Sequence, residues 1–296
     1  MKTHTENTIL LEWNCKIRFR LFFADEETKA KWGKEHSLVI GNHHFQLDGL
    51  FYWMTGEMTN SLGASKAYAK SELLYMPIIG WVFYFGEFIF LKRDWRNDAK
   101  SIGPSLDTLM KSPYPMLLLI LPEGTRFTPE KYAAGMAYAK EHGLDVKLKH
   151  HLLPRVKGFA NSLRHLQSNC KCTLIFLKRQ LTVSLFNHFL RTSLSPDKGS
   201  FGLYHIQVLS RSTEGAGAFE PTLTNFFAGK PMKVDCYIER ISNEKLPAAE
   251  ASDEEQAKFL YDAFEHKVNV PRCRVCASLC IMFRSSVFLS CVMYCL

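Results

Sequence analysis

The chain has 296 residues, 47% of them hydrophobic and 13% aromatic, which suffices for one large α/β domain or two small ones with a sizeable buried core. A formal charge of +8 and a pI of about 8.9 suit an anionic partner: a phospholipid surface, a phosphate-bearing substrate or nucleic acid. The basic residues are spread along the chain and no zinc-finger or RNA-binding signature occurs, which sets nucleic acid aside.

In chain order, Ile9–Phe23 is apolar but interrupted by Glu12, Lys16, Arg18 and Arg20. It is too charged to span a bilayer and reads as a segment lying on its surface. Met1–Asn7 is polar with no apolar stretch of a secretory leader behind it, so a reducing, cytosolic-side environment is expected. Ala24–Glu35 is charged and helix-forming. Ser37-Leu38-Val39-Ile40 reads as a buried strand, followed by Gly41-Asn42-His43-His44-Phe45-Gln46-Leu47-Asp48 and a helical Leu50–Met54. A strand end leading into a helix start is where an α/β fold presents side chains to a crevice. An imidazole near a carboxylate at such a junction can act as a general base held in one tautomer, which makes His43 and Asp48 the candidate catalytic pair.

Leu73–Leu91 is the longest apolar run, with Pro77, Gly80, Gly86 and Glu87 inside it. It predicts a helix, a break and a strand, serving either as protein core or as a face dipping into a membrane. Arg96–Lys111 predicts a helix that Gly103-Pro104 should kink or split. Tyr114–Leu121 predicts a buried strand ending in Pro122-Glu123-Gly124-Thr125-Arg126. Thr128-Pro129 starts a helix that runs to about His142, with Gly143 just beyond. Met232–Ile241 has strand character, and Ser252-x-x-Glu255 is a capping box opening a helix to about Lys267. This alternation implies an α/β fold: a mostly parallel central sheet flanked by helices, with an irregular insertion and a C-terminal helix.

Two stretches resist this pattern. Residues 161–214 lack periodicity and contain Ser195-Pro196-Asp197-Lys198-Gly199-Ser200, so they are expected to form an irregular, dispensable insertion. The core still needs a strand from them, Thr173–Leu177 or, preferably, Tyr204–Leu209. The tail from Val270 holds five of the nine cysteines, Cys273, Cys276, Cys280, Cys291 and Cys295. Cys273-x2-Cys276 lacks a second well-spaced pair, so free or lipid-modified thiols are expected rather than zinc.

Asn42-His43-x4-Asp48 and Pro122-Glu123-Gly124-Thr125-Arg126 together resemble the 1-acylglycerol-3-phosphate acyltransferase family. Lys70-Ser71-Glu72-Leu73-Leu74-Tyr75-Met76-Pro77-Ile78-Ile79-Gly80-Trp81, Phe88–Arg93 and His151–Phe159 add to the likeness, which extends from about residue 10 to 160 and returns over 215–266. The wording is closest to eukaryotic members of the endoplasmic reticulum membrane. The resemblance implies acyl transfer from acyl-CoA to the sn-2 hydroxyl of 1-acylglycerol-3-phosphate, with no metal and no cofactor beyond acyl-CoA as co-substrate; the same chemistry on lysophosphatidylinositol or a lysocardiolipin, or a catalytically inactive lipid-binding relative, are the alternatives. It implies a glycerolphosphate-acyltransferase-like core over 24–160 and 215–269, whereas the membrane-surface segment over 1–23 and the Cys-rich tail over 270–296 are read from composition alone.

Such a transfer needs a base, an oxyanion donor and two substrates held in line. No Gly-x-Ser-x-Gly elbow suggests an acyl-enzyme. His43 is the candidate base and Asp48 its orienting carboxylate, while Asn42 braces the turn and His44 is structural. Arg93 and Arg126 carry the planar fork that binds phosphate oxygens in pairs, and the resemblance assigns both regions to glycerol-phosphate binding. Lys92 and Lys157 are secondary candidates. Glu123 is expected to order Arg126 or accept a hydrogen bond from the acceptor, with Thr125 beside it and Gly124 permitting close backbone approach. The stretch around Pro154 is taken from the family to border the donor site. Many relatives carry Gly where this chain has Glu87, the nearest glycine being Gly86.

Overall fold

A computed structural model describes residues 17–77, 79–112, 114–148, 150–180, 201–212 and 219–267, with only the backbone described beyond residue 169 in the helix that ends at Gln180. The Cys-rich tail, residues 1–16 and the 181–200 part of the expected insertion lie outside them. The strands are β1 (Ile17–Phe23), β2 (His36–Gly41), β3 (Ser65–Lys70), β4 (Ile89–Leu91), β5 (Leu117–Ile120), β6 (Phe201–Ser212) and β7 (Met232–Ile241). The helices are α1 (Glu26–Lys31), α2 (Asp48–Met58), α3 (Ile79–Phe85), α4 (Trp95–Met110), α5 (Pro129–Glu141), α6 (Val156–Gln180), α7 (Leu223–Phe227) and α8 (Asp253–Lys267).

The strands form one seven-stranded sheet in the order β1-β7-β6-β2-β5-β3-β4. All neighbours are parallel except β6 and β7. β2 is buried along its whole length because it has a neighbour on each side and helices on both faces. Its side chains alternate between two cores. Leu38 and Ile40 join Leu118 and Ile120 beneath Ile102 and Leu106 of α4, Phe159 and Leu163 of α6, and Phe264 of α8. Val39 joins Leu117, Tyr204 and Ile206 on the other face, under Phe51 and Met54 of α2. Each fully buried side chain of this size stabilises the fold by about 1.5–3 kcal/mol, so the two-sided burial of β2 fixes the base on which the site stands.

The helix ends follow their sequence signals. Thr128 Oγ1 accepts from Lys131 N at 3.3 Å with Pro129 at the first position of α5. Ser252 and Glu255 exchange the two bonds of a capping box at 3.1 and 3.2 Å. α4 is one continuous helix through Pro104, and Gly103 leaves room for the His165 ring, so the expected split does not occur.

Three expectations are corrected. Residues 17–23 are an edge strand rather than a surface-lying segment: β1 pairs in register with β7, and Arg20 meets Asp235 through bonds of 2.6 and 2.7 Å. The two ends of 161–214 are regular structure. Residues 161–169 continue α6, with Leu163 and Leu166 fully buried, and 173–177 is helical backbone, not a strand. The strand comes instead from β6, which contains Tyr204–Leu209 and lies against β2 at the centre of the sheet. At the start of β2, buried Glu35 accepts from Arg240 Nε (2.6 Å) and Tyr204 Oη (2.6 Å), tying β7 and β6 to it.

Candidate active site

The parallel set β2–β6 points its C-terminal ends to one edge of the sheet, and the motifs that follow β2, β3, β4 and β5 leave from that edge, while 151–159 reaches it from the connection before α6. Gly41 ends β2. A Cβ there would lie 2.6 Å from the Tyr52 hydroxyl and 2.8 Å from Leu121, so only glycine lets α2 and the end of β5 close over the strand. Asn42, buried, bonds the Val208 backbone with both ends of its amide: Nδ2 to the carbonyl at 3.0 Å and Oδ1 from the amide at 2.9 Å. Tyr52 donates to the Asn42 carbonyl at 2.5 Å. Burial, and then the Asp48 carboxylate, push the Tyr52 phenol well above its ordinary pKa, so it stays a donor.

His43 emerges from this brace with its side chain 22% exposed, while that of Asp48 is 1% exposed. Asp48 opens α2. Its Oδ2 accepts from the amides of His44 (2.5 Å) and Phe45 (2.8 Å) and faces His43 Nδ1 at 3.4 Å. With its proton on Nδ1 toward the carboxylate, the imidazole keeps the Nε2 lone pair, the arrangement a general base needs. A separation of 3.4 Å is long for a hydrogen bond, but such bonds tighten when substrate is present. The His44 ring stacks on Phe127 at 5.0 Å, so His44 serves the pair only through its backbone amide.

The second motif is sewn to the first through Glu123. Its Oε1 accepts from His43 N at 2.9 Å, its Oε2 from Leu152 N at 3.0 Å, and His151 Nδ1 lies 3.5 Å away. Burial alone raises the pKa of this carboxyl. The His151 imidazole and the two amides outweigh burial and hold it below its ordinary value. The expectation that Glu123 binds acceptor or orders Arg126 is therefore corrected: both its oxygens turn inward and hold three backbone segments together. A further bond, Phe127 N to His43 O at 3.2 Å, locks the two loops.

The cationic residues gather around Gly124. Arg93 follows β4 in a left-handed conformation (φ 62°) and donates from Nη2 to the Gly124 carbonyl at 3.2 Å. A left-handed arginine costs on the order of 1 kcal/mol or more, a strain characteristic of functional sites. Gly124 is itself left-handed (φ 64°), and a Cβ there would press on the Arg155 side chain at 3.3 Å. Thr125 Oγ1 accepts from Lys131 Nζ at 2.8 Å, and Arg126 is exposed. Among the described residues, Arg93, Arg126 and Arg155 have no carboxylate partner. Lys157 stands 6.0 Å over the Trp95 ring, Pro154 is buried, and Lys92 is exposed beside Arg93. Glu87 adopts a left-handed φ of 57°, the conformation glycine takes freely, and pairs with Lys66 at 2.7 Å.

His151, Lys131 and Arg155 carry no individual role in the sequence reading, although His151 and Arg155 lie in the stretch 151–159 that adds to the family likeness. Lys131 falls in the first turn of a helix whose cap, Thr128, is three residues from Thr125, and Arg155 adjoins Pro154.

The chain matches the family model described as Acyltransferase over residues 20–189, and the model described as Acyltransferase C-terminus over 225–270. The first match runs through α6, beyond residue 160 where the resemblance was expected to lapse. The chain is 35% identical over 267 residues to a Homo sapiens protein named 1-acyl-sn-glycerol-3-phosphate acyltransferase delta, an alignment covering 88% of this chain and 58% of the relative. The Rattus norvegicus delta protein is 35% identical over 270 residues, covering 88% and 60%. The Homo sapiens protein named 1-acyl-sn-glycerol-3-phosphate acyltransferase gamma is 34% identical over 259 residues, covering 88% and 58%. The chain thus spans about three fifths of the length of these relatives.

Proposed function

Because the chain belongs to the acyltransferase family, we propose that it transfers an acyl group from acyl-CoA to the sn-2 hydroxyl of 1-acylglycerol-3-phosphate, forming phosphatidic acid and free CoA. The observation that supports this reading is the joining of His43–Asp48 to the Gly124–Arg126 turn through buried Glu123, beside a cluster of arginines that have no carboxylate partner among the described residues. His43 Nε2 removes the acceptor's hydroxyl proton as the oxygen attacks the thioester carbonyl. A tetrahedral oxyanion forms, the C–S bond breaks, and the proton passes to the departing thiolate. Asp48 holds the ring and favours the imidazolium that forms in between. Arg93 and Arg126 take the acceptor phosphate, with Lys157 at the margin.

Both substrates carry long acyl chains, so the reaction is set at a membrane surface. We place it on the endoplasmic reticulum membrane with the catalytic face toward the cytosol. Among the described residues no helix is long and apolar enough to cross a membrane.

The test is transfer of radiolabelled acyl groups from acyl-CoA, by purified protein in detergent micelles, across a panel of lysophospholipid acceptors. Lysophosphatidate is expected to be the best acceptor. Preference for lysophosphatidylinositol or a lysocardiolipin would move the reading to that head group, and no transfer to any acceptor would overturn it.

A further inference from the structure

α3 carries its apolar stripe on the wrong side for a helix of a protein core. Trp81, Tyr84 and Phe85 recur at the i, i+3, i+4 spacing of one helical face. That face points outward: Trp81 is 67%, Tyr84 62% and Phe85 79% exposed. Tyr75 (84%) and Met76 (42%), from the turn of 3-10 helix Ser71–Tyr75 just before it, extend the same apolar surface.

This surface is built, not left loose. Gly80 is buried, and a Cβ on it would collide with the Leu74 carbonyl, so glycine alone lets α3 close on the preceding turn. Gly80 N donates to Met76 O at 2.8 Å. The inner side chain Phe83 stacks on Phe88 at 4.7 Å, which fixes the helix to the entry of β4. The protein thus holds three aromatic rings in water on a rigid support. Large contiguous apolar patches mark interaction sites.

The chemistry around the patch identifies its partner. α3 has no charged residue; the flanking carboxylates Glu72 and Glu87 are paired with Lys70 (3.9 Å) and Lys66 (2.7 Å), while exposed Lys92, Arg93 and Arg96 follow on the next segment of chain. Tryptophan and tyrosine with an apolar body and a polar tip, bordered by lysine and arginine, match the headgroup layer of an anionic bilayer. The 3-10 turn that opens the patch, with Tyr75 and Met76, leaves from the same edge of the sheet as His43 and Arg126, and α3 runs from there back to the start of β4.

We propose that the outward aromatic face of residues 75–85 is the surface by which this chain docks on a lipid bilayer, setting the C-terminal edge of the sheet against the headgroups. The inference deepens the lipid-acceptor reading by naming the surface that meets the membrane, and it is tested without substrate.

The experiment compares full-length wild-type protein with W81S/Y84S/F85S in flotation with vesicles of phosphatidylcholine, with and without phosphatidylserine. Amide exchange of residues 75–85 is followed with and without the same vesicles. Wild type should float, more strongly on the anionic vesicles, and its 75–85 amides should be protected. The variant should bind roughly tenfold or more weakly, a lower bound for three apolar side chains leaving the bilayer. It should transfer normally to a micellar acceptor and poorly to one embedded in vesicles. Flotation of the variant equal to wild type, with unchanged exchange at 75–85, overturns the proposal. So does a dimer in the wild type that the substitutions make monomeric while vesicle binding persists, since the face would then pair two copies of this chain. Equal loss of transfer in micelles and vesicles makes the face a wall of the substrate pocket and also overturns it. Wild-type protein that binds vesicles through this face yet transfers nothing would refute the acyl-transfer reading and leave this one standing.

Discussion

At the scale of the residue, the proposed mechanism divides the site into groups assigned to substrate and groups that hold those groups in place. Glu123 shows why sequence blurs the two: a glutamate in a polar turn beside arginines reads as a ligand, yet its side chain is 1% exposed and serves backbone amides. Only the long-range approach of His43 and Leu152 reveals that. Its pKa is held below the ordinary 4.5, so the folded state binds its proton less readily than the unfolded chain does. The resulting stability is present in full above about pH 4.5 and is lost as pH falls through the lower folded value. Glu123→Gln should therefore lower stability at pH 6, leaving buried donors poorly matched at about 1–3 kcal/mol each, and the gap to wild type should narrow toward pH 3.5. Urea unfolding at the two pH values checks this; a gap that widens on acidification would contradict the pairing. Arg126, exposed and with no carboxylate partner among the described residues, should behave oppositely: Arg126→Gln leaves the unfolding midpoint unchanged and raises the KM for lysophosphatidate about tenfold or more, as for loss of a charged hydrogen bond worth about 1.5–3 kcal/mol. A rise confined to the acyl-CoA KM would assign Arg126 to the donor instead.

At the scale of the element, legibility followed locality. β2, β5, the caps of α5 and the capping box of α8 are written in contiguous residues, and so were read closely. β6 was harder. Its first six residues are buried without alternation because it lies between β2 and β7, which hides the period-two pattern. The start of 161–214 looked irregular although Phe159, Leu163 and Leu166 form a buried helical stripe, because that stripe straddles the point where the family resemblance was taken to stop. The Leu73–Leu91 run was legible as helix, break and strand, but hydropathy does not say which way an apolar stripe faces. Gly80→Ala tests the packing that sets that direction. A methyl group forced against the Leu74 carbonyl should cost about 1–3 kcal/mol in urea unfolding, and a neutral substitution would mean that α3 is not seated on the turn as described.

At the scale of the whole molecule, the sheet makes the site possible. Parallel neighbours bring the ends of β2, β5, β3 and β4 to one edge, so motifs as far apart in sequence as those of His43 and Leu152 share one set of hydrogen bonds through Glu123. That topology makes β6 indispensable, against the expectation that residues 161–214 can be spared. Hydrogen exchange should place 201–208 among the slowest amides, alongside β2. Exchange there at loop rates would refute the strand order. The central claim is that His43 is the base of an acyl transfer carried out at this edge. Its most direct test is the rate of acyl transfer from acyl-CoA to lysophosphatidate by wild-type and His43→Ala protein under identical micellar conditions, with unfolding midpoints measured in parallel. His43→Ala should lose about 10²–10⁴ in kcat with the midpoint unchanged, since its imidazole is partly exposed and holds no element in place; transfer by His43→Ala at the wild-type rate would contradict the account.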